Sequence, residues 1–134
     1  GGRIPNKITT YDGMFEFPKP MTIEQGRHFA IKSSEIAIRT FNQDQSIQEF
    51  LENQPFTNDN IVIYIHSKEY LNQIAPTGYA DSVAFIYGKI QFAYFDHKLR
   101  HFVNFHQESY EEALERYSES QLLDSSNSIH THLK

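Results

Sequence analysis

Seven histidines stand out in a chain of 134 residues that has no cysteine. Imidazole is the side chain best suited to acid–base work and metal ligation near neutral pH. His97, His101 and His106 form the densest group, but their spacing matches no zinc pattern and includes no His-Glu-x-x-His helix. On an extended strand, His101 and His106 fall on opposite faces, with His97 in a turn. Three ligands do not converge from there, so no metal and no other cofactor is expected. His130 and His132 sit in a polar tail. A second arrangement, His66 with His101, has the residue types of a general acid–base pair, and Lys68 or Arg100 could hold a phosphate beside it. His66 and His101 are therefore the candidate residues if the protein is an enzyme. Glu111, Glu112 and Glu115 look like charges on a helix face. No Gly-x-Ser-x-Gly, P-loop or dinucleotide fingerprint is present.

Cysteine chemistry is excluded, as are disulfides and thiolate zinc sites. The formal charge of −5 disfavours nucleic acid as a partner, because neutralising phosphates needs an excess of Lys and Arg. The longest β-branched and aromatic run, residues 61–65, is far short of the ~20 apolar residues that span a bilayer. No direct membrane insertion is expected. The chain opens on Gly1-Gly2, which reads as a tag scar ahead of a domain cut from a longer chain, with room for an anchor upstream. Both the periplasm and the cytoplasm suit a chain without thiols.

The elements that must position these residues follow from periodicity. Residues 1–20 read as an extended arm, with Asp12-Gly13 suited to a hairpin turn between alternating apolar positions. Thr22 caps a helix over 22–41, with Gln25 as return partner and apolar residues at 23/30/37/41 and 29/36. Asp44 or Ser46 starts a short helix over 46–53. Residues 61–65 predict a strand, followed by a helical turn or two to Ile74; one helix over 60–74 is the alternative. From Val83 to Phe105 the pattern predicts a meander of two or three antiparallel strands. In its last strand, Leu99, His101, Val103 and Phe105 share one face, and Arg100, Phe102, Asn104 and His106 the other. Ser109 caps a final helix. The tail 124–134 has little to bury and is expected to be disordered.

The resulting class is α+β, a single domain over 21–123, with helices packed on one face of a curved antiparallel sheet of about four strands, in the order arm–α–α–β–(α)–β–β–β–α. With 11 Phe and 8 Tyr and no Trp, the second half carries aromatics on both sheet faces. One face belongs under the helices. The other, with Phe92, Tyr94, Phe102 and His106, is expected to bind a protein partner or a second copy.

Thr9-Thr10-Tyr11-Asp12-Gly13, a proline-bearing spacer, a helix with Ala30, Ala37 and Thr40, and then Phe56-Thr57-Asn58-Asp59 resemble the start of the periplasmic domains of the VirB8-like and DotI/IcmL-like class. The likeness covers residues 8–60. It implies an NTF2-like fold, no active site, and an oligomerising scaffold of a type IV secretion or conjugation machine. Two alternatives stand beside it: an immunity protein or antitoxin whose acidic surface covers a toxin, and a small NTF2-like enzyme with a pocket histidine.

Overall fold

A computed structural model describes residues 8–51 and 55–132; of the side chains from 122 onward nothing is said. The class is α+β: among the described residues, five strands form one sheet, accompanied by three α-helices and a 3-10 turn at Asn58–Asn60. The strands are β1 (Tyr11–Phe17), β2 (Ile61–Ser67), β3 (Ser82–Ile86), β4 (Lys89–Asp96) and β5 (His101–Ser109), and their order in the sheet is their order in the chain. The helices are α1 (Ile23–Gln43), α2 (Gln45–Gln48) and α3 (Tyr110–His132). No described helix is long and apolar enough to cross a membrane.

The sheet is mixed and has one strand more than the sequence suggests. Asp12-Gly13 does not turn; it lies inside β1, which runs parallel to β2 from Tyr11↔Ile61 to Phe17↔Ser67. Turn chemistry is local, whereas β2 offers a full-length ladder. A parallel partner requires a crossover, and α1 supplies it. The rest is an antiparallel meander. Its β3–β4 link is the two-residue turn Tyr87-Gly88, both at positive φ (47° and 84°). Residues 68–74 make turns rather than a helix, and 61–67 is strand, which settles the ambiguity of that region.

α1 begins as its sequence dictates. Thr22 Oγ1 accepts the Gln25 N–H at 3.1 Å, and Gln25 Oε1 accepts the Thr22 N–H at 3.0 Å. That reciprocal box satisfies two of the donors a helix start leaves open. Asp44 ends α1 and caps α2, which is a single turn at Gln45–Gln48 rather than the expected 46–53 helix; residues 52 and 53 of that range lie outside the described residues. Asn42 then acts as a strand-like partner for Phe56, donating to its carbonyl at 3.0 Å and accepting its N–H at 2.7 Å. Asn60 ties the next turn to the start of β1 through the Thr9 carbonyl, at 3.1 Å. Ser109 caps α3 by accepting the Glu112 N–H. The helix bounds run into 124–132, a stretch composition marks as unstructured; adding residues to a formed helix is far easier than starting one.

α1 and α3 touch each other and lie over the same side of the sheet. Beneath them sit Ile61, Ile63, Ile65, Val83, Phe85, Ile90 and Phe92, all fully buried. Gly26 brings α1 down onto this layer: a Cβ there would stand 2.8 Å from Val83 and 2.9 Å from Phe92.

Candidate interaction surface

The four residues expected on one open aromatic face do not share a face. Phe92 is fully buried under α1. Tyr94 has the same parity as Phe92 but is 37% exposed. Phe102 lies on the opposite side, paired with Phe95. His106 points to the helix side, opposite Phe92. The cause is a bulge in β5: Phe92 pairs with His106 but Ala93 with Asn104, leaving Phe105 as the extra residue. One extra residue reverses the alternation for everything beyond it.

On the side away from the helices, Tyr64, His66, Tyr70, Phe95 and Phe102 form a cluster. Tyr70, from the turn after β2, packs on Phe102 and Phe95 with ring centres at 4.9 and 5.2 Å. His66 meets Phe102 at 5.7 Å. Its Nδ1 is buried without a hydrogen-bond partner. Burial pushes the imidazole below its usual pKa, with Glu16 pulling weakly the other way. His101 is exposed, and its Nδ1 lies 3.1 Å from the carbonyl oxygen of Phe102. Since His66 shares a face with Phe102, the next-door His101 points to the other one. The candidate acid–base pair is therefore split by the sheet. Among the described residues, no group of His, Asp and Glu is placed to hold a metal ion.

The strongest electrostatic feature has no signature in the sequence. Glu108, on β5, is 1% exposed and directed between α1 and α3. Arg27 of α1 grips both of its oxygens, through Nε at 2.9 Å and through Nη2. Arg116 of α3 donates to Oε1 at 2.8 Å, as does His106 Nε2 at 2.8 Å. Burial alone would raise the carboxyl pKa, but these donors outweigh it and lower it to about 2. The carboxylate accepts three hydrogen bonds at Oε1 and one at Oε2, and through them ties α1, α3 and β5 together. Glu108 lies opposite Ile90, a register that only the bulge gives.

A different margin is open. β1 ends the sheet, with β2 as its single neighbour among the described residues. Its other edge presents backbone donors and acceptors with no strand beside them among the described residues. Tyr11, Gly13, Phe15 and Phe17 face the helix side, where Phe29 of α1 meets Phe15 and Phe17 with ring centres at 5.8 and 5.7 Å. Phe41 meets Tyr11 at 5.3 Å. Between α1 and this edge runs an apolar groove of about 370 Å³, lined by Tyr11, Phe15, Phe29, Ile36, Ala37 and Phe41 among others. Ile36 is 52% exposed on its rim and Met14 73% exposed on the other side of the strand. The 29/36 positions were legible as part of one broad apolar stripe of the helix; that they face the sheet's margin was not.

Comparison with protein-family models, with curated proteins and with solved structures finds no match to this chain.

Proposed function

We propose that this domain is a non-catalytic scaffold that holds a protein partner along its first strand. The observation that supports the reading is a coincidence at one margin: a seven-residue strand with a free edge lies beside an apolar groove. Strand addition uses both, main-chain hydrogen bonds for affinity and side-chain pockets for selectivity. An acid–base enzyme finds less support, because His66 and His101 are on opposite sides of the sheet and Glu108 is buried and bound to Arg27, Arg116 and His106. An NTF2-like arrangement, a periplasmic setting and a place in a type IV secretion or conjugation machine belong to the same reading. They rest on the sequence resemblance over 8–60, and α1 lying across a sheet that ends in an antiparallel meander is in keeping with them.

Photo-crosslinking in the native cells tests the reading. A crosslinking side chain at Met14 or Ile36 should give one adduct of defined mass, and one at exposed Leu99 none. Adducts confined to Tyr64 and Phe102, or absent from the margin altogether, would overturn it. A membrane-spanning segment encoded directly upstream would separate an anchored scaffold from a toxin inhibitor of the cytosol.

A further inference from the structure

We infer that the segment added to β1 is an extended strand alternating apolar with basic residues; this rests on the scaffold reading above. β1 alternates strictly. Tyr11, Gly13, Phe15 and Phe17 face the groove side, and Asp12, Met14 and Glu16 face the other. A strand laid on the free edge must match both rows.

On the groove side the fit is apolar. Gly13 carries no side chain, and the rings of Tyr11 and Phe15 lean over it: a Cβ there would sit 3.1 Å from Tyr11 and 3.3 Å from Phe15. The position opposite Gly13 therefore meets an aromatic floor that continues to Phe29, Ile36 and Phe41 of α1. Val, Ile or an aromatic side chain would cover it, and a charged one would lose its hydration there.

On the other side the match is electrostatic. Asp12 and Glu16 are exposed, and among the described residues neither takes part in an ion pair. They also disfavour a second copy. An antiparallel β1 in full overlap sets Asp12 against Glu16 twice, and a parallel one in register sets each carboxylate beside its own twin. Like charges directly opposite destabilise a strand pair, and opposite charges stabilise it. The net charge of −5 acts in the same direction. Natural edges are often guarded by charge, and a guard of one sign selects for the other.

The test uses the full chain and three synthetic peptides of strand length: alternating Val and Lys, alternating Val and Glu, and the Val/Lys composition with alternation scrambled. Binding is read from backbone amide shifts and amide exchange at β1. The Val/Lys peptide should slow exchange in 11–17 and weaken with salt. It should bind the D12N/E16Q protein about five-fold less tightly, and D12K/E16K should reverse the preference toward Val/Glu. Equal binding of the Val/Lys and Val/Glu peptides at β1 would overturn the charge inference and leave the edge reading intact. Shifts confined to Tyr64, His66 and Phe102, or none with any peptide, would overturn both. Protection of β1 without peptide, rising with protein concentration, would make a second copy the occupant and also overturn the inference.

Discussion

Replacing Glu108 with Gln keeps the shape of the side chain and removes its charge. The carboxyl group ordinarily titrates near 4.5 and here near 2. That gap of roughly 2.5 pH units, at about 1.4 kcal/mol each, makes the folded state more stable by roughly 3 kcal/mol when the group is ionised. The folded pKa is depressed, so this stability is complete above about pH 4.5 and disappears as the pH falls through about 2. Losing one partner of a buried pair costs about 3–5 kcal/mol, which brackets the same figure. Urea unfolding of both proteins from pH 7 to pH 2 measures it. E108Q should be less stable by about 3 kcal/mol at pH 7, and the two curves should close toward each other as the pH falls to 2, where the native carboxyl is half protonated. A difference that stays constant with pH, or stays below about 1 kcal/mol at neutrality, would show that the four-member network does not hold α1 and α3 to the sheet.

Gly26→Ala should lower the urea midpoint. Its methyl would collide with Val83 and Phe92, costing about 1–3 kcal/mol against a helix gain of about 1. Tyr87→Asn should raise stability by about 1 kcal/mol in thermal unfolding, because an exposed Tyr at φ 47° occupies a left-handed turn position that Asn accepts more easily. The His66 imidazole, followed by NMR, should titrate below its ordinary value because burial disfavours the cation. Stability should then fall as the pH drops below about 6.5, and His66→Phe should flatten that part of the curve.

Where a feature depends on neighbours in the chain, the sequence was legible. The Thr22–Gln25 box, a cap at Asp44 or Ser46, the strand core at 61–65, the meander and the Ser109 cap all follow from local chemistry. Where a feature depends on register, reading failed. The bulge at Phe105 turned His106 and Glu108 toward the helices, and parity counted from Leu99 pointed them the other way. Phe92 was placed on an open face because both faces of the ribbon are aromatic, and only the descent of α1 at Gly26 decides which is covered. The Arg27–Glu108 contact joins residues 81 apart, with no motif to announce it. Asp12-Gly13 has the composition of a turn, yet the ladder to β2 outweighed it.

The parallel seam between β1 and β2 has a consequence for assembly order. β2 to β5 are joined by local links and can zip as the chain emerges, whereas β1 must wait until the whole of α1 has been laid across. β1, first of the sheet's strands in the chain, is thus expected to dock last. Because β1 lies at the sheet's margin, with a single strand neighbour among the described residues and rings from one helix on its flank, a guest strand laid on its outer edge leaves the core behind it undisturbed.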